Sequence, residues 1–155
     1  MNIYNILHDL DITYEEVEHK AIFTIEEALQ EKIYERINGV ECKNLFVKNK
    51  KHYYLIFIEA SKRANLKEIA SLINESKLTF ATTTELKEIL GLDIGSVTPL
   101  GIINDKDNKV ILLLDKSLRN SKVLVHPNIN TKTISISYED LLKIINYTKH
   151  KYLEF

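Results

Sequence analysis

The sequence predicts one domain of the mixed α/β class, with a curled mixed sheet or a barrel surrounded by helices. Apolar residues recur at helical spacing in some stretches and form short strand-like runs in others, giving about five helices and six strands in no regular alternation. Neighbouring strand-like runs joined by polar turns indicate hairpins, which a purely parallel sheet lacks. The 155 residues contain no repeat or linker, so we expect a single domain spanning residues 1–155.

Two helices are predicted in the first quarter of the chain. Apolar residues at helical spacing indicate an N-terminal amphipathic helix over 3–10. Thr24 and Glu27 form a capping box, in which the threonine hydroxyl accepts an early backbone N–H and the glutamate reaches back, so a second helix begins there. The residues that we expect this second helix to bury are Ile25, Ala28 and Leu29, with Ile33 as a further candidate.

A hairpin of two strands is predicted next. Residues 45–47 and 53–58 have strand composition, and the polar stretch 48–52 between them is typical of a hairpin tip. Because the run at 53–58 is apolar on both faces, we expect it to lie centrally in the sheet.

Helices and strands follow irregularly to the end of the chain. Asn65, Thr82 and Ser137 stand where helix N-caps belong, and Gly91 stands where a C-terminal cap belongs. Further strands are predicted at 110–114, 123–125 and 133–136, whereas the last seven residues fit no pattern.

Composition limits the function classes. With 45% hydrophobic residues, 28% charged residues and a net charge of −1, no overall field draws the protein to nucleic acid, although a local patch can still bind RNA. No apolar run approaches the roughly eighteen residues that cross a bilayer. The N-terminus lacks a secretory pattern, so we expect a cytoplasmic protein with no membrane or DNA partner. One cysteine and histidines without ligand spacing predict no metal and no cofactor.

A glycine–proline loop is the first candidate for a functional site. The run Gly95-Ser96-Val97-Thr98-Pro99-Leu100-Gly101 holds two of the four glycines and one of the two prolines in the chain. Bare amides in such a loop can hold a carbonyl oxygen or a phosphate, and glycine lets a ligand approach closely. The alternative is a rigid turn between two core elements.

Three side chains elsewhere are candidates for chemistry. Lys43, at the entry to the first hairpin strand, can bind a phosphate or polarise a carbonyl, or else it is a solvated lysine. His126, which Pro127 holds extended, can orient a ribose hydroxyl or a water, or else it is structural. Cys42 beside Lys43 suggests a thiol nucleophile, but no base is placed for it, which favours a buried inert cysteine.

Four motifs in series give the sequence a family resemblance. They are Glu18-His19-Lys20-Ala21-Ile22-Phe23-Thr24, Lys43-Asn44-Leu45-Phe46-Val47, the stretch from Gly95 to Asp105, and Val125-His126-Pro127-Asn128-Ile129-Asn130-Thr131. Over nearly the whole chain they resemble the YbaK/ProX family of prolyl-tRNA editing proteins. The resemblance implies that family's mixed α/β fold around a curled sheet, and a hydrolase that removes amino acids wrongly attached to proline tRNA.

The resemblance also implies a set of site residues. The family's essential lysine falls on Lys43, the histidine of its His-Pro motif on His126, and Asn44 follows the lysine as in the family pattern. We therefore expect Lys43, His126 and Gly101 to be catalytic groups. The residues expected to bind substrate are Asn44, Gly95, Ser96, Val97, Thr98 and Pro99.

The substrate and partners are implied in the same way. The loop and the Asn104-Asp105 turn resemble the ProX branch, which favours alanyl-tRNA(Pro). The alternatives are a cysteinyl-tRNA(Pro) deacylase, a non-catalytic tRNA-binding or regulatory module of the same fold, and a small-molecule-binding domain. Mischarged tRNA(Pro) is the expected partner, with prolyl-tRNA synthetase as a second candidate. Two basic groups are candidates for tRNA contact, or else solvated faces: Lys48, Lys50 and Lys51, and Lys62, Arg63 and Lys67.

Overall fold

The computed structural model describes residues 2–155, except the side chain of Ile25. Its strands form two sheets on which the helices pack. The strands are β1 (Glu15–Glu18), β2 (Cys42–Lys48), β3 (Tyr53–Glu59), β4 (Thr79–Phe80), β5 (Val110–Leu114), β6 (Lys122–Val125), β7 (Lys132–Ser137) and β8 (Tyr152–Glu154). The helices are α1 (Ile3–Asp9), α2 (Ile25–Gln30), α3 (Ile33–Arg36), α4 (Leu66–Leu72), α5 (Thr83–Leu90) and α6 (Tyr138–Tyr147), with 3₁₀ helices at Pro99–Asn104 and Lys116–Leu118.

The larger sheet is mixed, as predicted. In its order β4-β2-β3-β5-β8, β2 pairs antiparallel with β3 and β4, whereas β5 runs parallel to β3 and β8. The smaller sheet, β1-β7-β6, is antiparallel. A parallel bridge between Val40 and Val123 links β6 to the segment that enters β2. Within residues 2–155 the strands remain two sheets and do not close into a barrel, so the mixed α/β prediction is confirmed and its barrel variant is not.

The strand β3 lies in the centre of the larger sheet, as its two-sided apolar composition predicts. Residues 54–58 are all buried between β2 and β5. Leu55 and Phe57 pack in the main core, which contains side chains from both sheets, whereas Ile56 and Ile58 pack under α4. A third cluster joins α2 and α3 to Leu124 of β6.

Side-chain caps confirm the predicted helix starts. Thr24, Asn65, Thr82 and Ser137 each accept the backbone N–H three residues further on. Gly91 ends α5 in the left-handed region, with a φ of 67°. The longest helix, α6, has ten residues, and no helix in the described part of the chain has the length and apolar character needed to cross a bilayer.

Two predictions about local structure differ from the fold. The expected burial of Leu29 is wrong, since its side chain is 59% exposed. The chain turns through Lys32 in the left-handed conformation after α2, and Ala28 and Ile33 fill the space beneath the helices, as expected for both. The expected burial of Ile25 lies outside the described side chains. The C-terminal stretch without a pattern forms β8, whose three residues are too few to show a periodicity.

Candidate active site

A cavity of about 400 Å³ lies where β2, β6, the α2–α3 pair and the glycine–proline loop meet. Five of the predicted site residues line it: Lys43, Asn44, Gly95, Val97 and His126. The size is that of a small-ligand pocket. The structure therefore brings three motifs from distant parts of the chain to one place.

The cavity opens because β2 and β6 separate beyond the bridge between Val40 and Val123. At the bridge, the Leu124 N–H donates to the Val40 carbonyl at 3.1 Å. Further along, Lys43 and Asn44 line one wall and Val125 and His126 line the other. Where β2 and β6 separate, polar groups of both chain segments face the space between them.

The backbone of Asn44 lies on the open edge of β2. The Phe46 carbonyl accepts the Ala81 N–H at 3.0 Å, so it faces away from β3. Strand peptides repeat with period two, which gives Asn44 the same orientation. Because β4 pairs only with Val47 and Lys48, the Asn44 peptide has no strand neighbour on that side.

Lys43 carries a positive charge that no ion pair balances. It lies opposite Ile58 in the β2–β3 ladder, and its side chain is partly buried. Within residues 2–155 no carboxylate lies within 4.0 Å of its ammonium group. Glu41 lines the same cavity but forms no ion pair with Lys43. A cavity-wall cation without a paired carboxylate is suited to an anionic or strongly polarised ligand group.

The side chain of Asn44 has an orphan acceptor. Its Oδ1 is buried, and within the described residues it has no hydrogen-bond partner. Leaving a buried polar atom unpaired costs about 1–3 kcal/mol, so such atoms mark places where a ligand group completes the structure. The orphan oxygen is suited to an N–H or O–H donor of a substrate.

His126 is held in one tautomer. Its Nδ1 lies 2.9 Å from the Lys132 carbonyl, which can only accept, so Nδ1 carries the hydrogen. Burial lowers the pKa of the imidazole, the Lys132 carbonyl opposes this shift, and the nearby His19 adds to it. The neutral ring therefore offers Nε2 as an acceptor, and no described protein donor occupies it.

The glycine–proline loop is fixed against the histidine strand. The Thr98 hydroxyl donates to the His126 carbonyl at 2.8 Å, and the Ser96 hydroxyl donates to the Asp93 carbonyl at 2.9 Å. Pro99 begins the 3₁₀ helix that follows. These three residues lie outside the cavity lining and shape the loop from behind.

Gly101 also lies outside the lining. Its N–H donates to the Thr98 carbonyl at 3.2 Å, so this amide is not available to a substrate oxygen. A Cβ there would lie 2.6 Å from Leu92 Cδ1, which shows how closely the loop packs on the chain after α5. By contrast, no acceptor in residues 2–155 takes the N–H of Gly95 or Val97.

Gly95 is required by both its conformation and its neighbour. Its φ is 93°, which side chains other than glycine rarely adopt, and a Cβ would overlap the ring of Phe23. Phe23 is 59% exposed at the cavity mouth, where Ile94 is also exposed. The loop and the start of α2 therefore form one rim.

Several cavity residues have no counterpart in the predicted site. The apolar wall comes from Ile22, Ala28 and Ile33, and the opposite strand contributes Thr133. His19 stands behind Thr133, with its Nε2 2.8 Å from the Thr133 Oγ1. The first motif contains His19, Ile22 and Phe23, so their proximity to the site had a signal in the sequence, whereas Thr133 had none.

Cys42 lines the cavity as an inert group. Burial, with the nearby Glu59 and Asp115 carboxylates, raises the pKa of its thiol well above the usual range. Its Sγ donates to the Val40 carbonyl at 3.4 Å. These surroundings disfavour a thiolate, in agreement with a structural cysteine. The described residues contain no group of three His, Cys, Asp or Glu side chains able to hold a metal ion.

The two basic groups lie at opposite ends of the β2–β3 hairpin. The Ala60 N–H donates to the Glu41 carbonyl at 2.9 Å, which places the turn with Lys62 and Arg63 beside the start of β2. The hairpin tip begins at Lys48, five residues from Lys43 and so about 16 Å away at the usual strand rise, and Lys50 lies beyond it.

Two of the six basic side chains already have carboxylate partners. Lys48 pairs with Glu85 at 2.7 Å, and Lys62 pairs with Asp115 at 2.9 Å. The others are solvent-exposed: Lys50, Lys51, Arg63 and Lys67. Exposed cations without fixed partners are the ones best able to take RNA phosphates.

Known sequences resemble this chain over most of its length. The family described as the aminoacyl-tRNA editing domain matches residues 19–144. The prolyl-tRNA editing protein ProX of Acetoanaerobium sticklandii is 39% identical over 143 residues, which are 90% of this chain and 85% of that protein. Prolyl-tRNA synthetase associated domain-containing protein 1 of Mus musculus is 34% identical over 148 residues, 91% of this chain and 86% of that protein.

Solved structures resemble the fold. A hypothetical protein superposes with a TM-score of 0.73 at 17% identity, covering 98% of this chain and 97% of that one. A candidate trans-editing enzyme for prolyl tRNA synthetase superposes with a TM-score of 0.69 at 24% identity, covering 91% and 85%. The family match covers far more than half of the chain, and the sequence relatives exceed 30% identity. The chain belongs to the aminoacyl-tRNA editing domain family, that of the YbaK and ProX proteins.

Proposed function

We propose that the protein is a trans-editing aminoacyl-tRNA deacylase that hydrolyses mischarged tRNA(Pro), with alanyl-tRNA(Pro) as its substrate. The observation that carries the proposal is one cavity that combines an unbalanced cation, two available backbone N–H groups and two unpartnered acceptors. These groups belong to Lys43, Gly95 and Val97, Asn44 and His126. Family membership and the relative named a prolyl-tRNA editing protein support it.

The reaction needs positioning more than strong chemistry. The oxygen of a water adds to the ester carbonyl carbon, and the bond to the ribose oxygen breaks. One proton ends on that ribose oxygen, and the other is released as the new carboxylic acid ionises. Because the ester is already activated, the protein mainly places the water and stabilises the charge on the carbonyl oxygen. No metal or cofactor enters this scheme.

The donors fit the carbonyl side of the ester. The N–H groups of Gly95 and Val97 hold the aminoacyl carbonyl. They are fewer than the sequence suggested, since it offered every amide of the loop as a donor. Lys43 contributes charge to the carbonyl region or to the adjacent phosphate. Gly101 acts through the packing of the loop, since its own N–H is already used.

The acceptors fit the remaining hydrogen-bond donors of the substrate. Asn44 Oδ1 accepts a hydrogen bond from the aminoacyl or ribose part of the substrate, which supplies the partner that this buried atom lacks. His126 Nε2 takes an O–H at the ribose end, where the ribose hydroxyl and the attacking water both lie.

Selection by size follows from the apolar wall. A synthetase pocket built for proline rejects a smaller amino acid weakly, because the lost apolar contact is worth only ~1–3 kcal/mol. A second pocket can accept the alanine methyl group against Ile22, Ala28 and Ile33 and exclude the larger ring by overlap. Phe23 and Ile94 at the rim give the terminal base an apolar surface for stacking.

The decisive experiment is deacylation of proline tRNA charged in parallel with alanine, cysteine, serine or proline. We expect rapid loss of alanine and little loss of proline. Faster loss of cysteine would replace alanine by cysteine as the substrate. Binding of tRNA without any deacylation would indicate a regulatory module, and no response to any tRNA would indicate a small-molecule-binding domain.

A further inference from the structure

We propose that Thr133 and His126 together hold the attacking water, and that His19 is the positioning residue that keeps Thr133 in its acceptor state. The inference rests on the proposed deacylase function. It deepens that function by adding two residues that the sequence did not place in the reaction.

Thr133 and His126 are cross-strand neighbours. The β6–β7 ladder ends with Val125 opposite Ile134, and extending this register by one residue beyond β6 places His126 opposite Thr133. Opposed residues in such a ladder point to the same face with Cβ atoms about 5 Å apart. Both residues line the cavity, and Thr133 is only 5% exposed, so its hydroxyl has little access to bulk solvent.

Hydrogen bonds fix the direction of the Thr133 hydroxyl. His19 Nδ1 lies 2.7 Å from the Lys20 carbonyl, which can only accept, so the neutral His19 ring carries its hydrogen on Nδ1. Its Nε2, 2.8 Å from Thr133 Oγ1, must then accept. The Thr133 hydrogen is directed to His19, and the hydroxyl oxygen presents only lone pairs to its other neighbours.

His126 is an acceptor for a parallel reason. Its Nδ1 hydrogen is directed to the Lys132 carbonyl, which leaves Nε2 with a lone pair. The His19 and His126 rings stand 6.1 Å apart between centroids, so the two histidines and Thr133 form one compact group. The backbone carbonyls of Lys20 and Lys132 set the orientations of the two rings. A backbone carbonyl has no proton to gain or lose, so it remains an acceptor.

Two adjacent acceptors are suited to one water. A water that donates one hydrogen to Thr133 Oγ1 and the other to His126 Nε2 turns its oxygen lone pairs outward. The ester carbonyl, held by the amides of Gly95 and Val97, lies on the remaining side of the cavity. The water oxygen then bonds to the carbonyl carbon, and the ester C–O bond breaks with its proton balance as given above.

The test uses single-turnover deacylation of alanyl-tRNA(Pro) with separate measurement of tRNA binding. Thr133→Val keeps the shape of the side chain and removes the acceptor, so we expect the rate constant at saturation to fall roughly 10- to 100-fold with the Kd for tRNA unchanged. Thr133→Ser restores the hydroxyl and should recover most of the rate. Thr79→Val, at an exposed strand threonine far from the site, is the matched control.

The role of His19 is tested through Thr133. We expect His19→Leu to slow deacylation in the wild-type background and to have no further effect in the Thr133→Val background, because it acts only by directing that hydroxyl. Additive losses would mean that His19 stabilises the fold independently and would overturn its role. His52→Leu, at an exposed hairpin histidine, is its control.

The outcomes separate this inference from the function beneath it. If wild type deacylates and Thr133→Val is as fast, the water site is wrong and the deacylase proposal stands. If Thr133→Ser is as slow as Thr133→Val, the loss comes from packing and the water site is also wrong. If wild type deacylates no form of proline tRNA, both proposals fall.

Discussion

The role of the Lys43 charge can be tested by a single substitution. Its ammonium group has no carboxylate partner within the described residues, so removing it breaks no ion pair and should cost little stability. We expect Lys43→Ala to lower the rate constant for deacylation by about 100-fold or more, the usual loss when one stabilising group at a developing oxyanion is removed. Single-turnover deacylation of alanyl-tRNA(Pro) measures this, with exposed Lys77→Ala as the control. Equal rates for Lys43→Ala and wild type would remove Lys43 from the mechanism.

The pH dependence of deacylation should report His126. Burial lowers the pKa of the ring from its usual 6.5, while the Lys132 carbonyl opposes the shift and His19 adds to it. Because the neutral ring is the acceptor form, the enzyme-catalysed rate is retained down to a midpoint below pH 6.5 and falls when His126 gains a proton. A pH series of single-turnover rates, corrected for uncatalysed ester hydrolysis, tests this. A midpoint above 6.5 would contradict the assignment.

Single residues could be predicted where a motif carries them. Lys43 and His126 lie in short runs with an unusual order, and both line the cavity. Thr133 could not be found, because an alternating strand threonine looks the same whether its hydroxyl meets solvent or His19. Nor could the sequence tell that the Gly101 N–H is consumed by the Thr98 carbonyl, a fact of loop geometry. The sequence does not distinguish the N–H groups of the loop from one another as donors to a substrate oxygen.

The glycine–proline loop and the start of α2 act as one element at the cavity rim. Gly95→Ala adds a Cβ that overlaps the Phe23 ring in a conformation unfavourable to alanine, with a φ of 93°. We expect a loss of about 1 kcal/mol or more in the free energy of unfolding, measured in urea, together with slower deacylation as the rim is displaced.

A second substitution separates the two causes of that loss. Phe23→Ala in the Gly95→Ala background removes the overlap but leaves the backbone strain, so we expect partial recovery of stability. Phe23 is 59% exposed, so Phe23→Ala alone should change stability little. No recovery in the double variant would show that strain, not overlap, dominates.

Helices and strands could be predicted where a short stretch of sequence determines them. The caps at Thr24, Asn65, Thr82 and Ser137 fix four helix starts, since each helix needs its first N–H groups satisfied within a few residues. The cavity itself is not local. It arises because β2 leaves β6 after the bridge at Val40 and Val123, where the α2–α3 cluster packs against Leu124.

At the scale of the whole molecule, the hairpin β2–β3 spans the distance between the two basic groups. Arg63 and Lys67 lie at the end that carries Lys43, whereas Lys50 and Lys51 lie at the tip, about 16 Å away at the usual strand rise. We expect an RNA whose aminoacyl end enters the cavity to contact Arg63 and Lys67 with its last nucleotides. At the ~3.4 Å per nucleotide of a stacked strand, reaching the tip takes roughly five nucleotides, so a CCA trinucleotide ends short of the tip whereas full tRNA extends to it.

This geometry predicts that RNA length decides which substitution matters. Arg63→Gln with Lys67→Gln should lower kcat/KM for both full tRNA and an alanylated CCA trinucleotide, the short substrate. Lys50→Gln with Lys51→Gln should lower kcat/KM for full tRNA only. On full tRNA, each pair should also reduce the slope of log binding constant against log salt by roughly two, since each cation neutralises one phosphate. Unchanged slopes in both pairs would show that neither end of the hairpin carries the RNA backbone. An effect of the tip pair on the short substrate would mean that the RNA runs along β2 to reach the cavity. A short strand that enters from the Arg63 side does not extend to the tip.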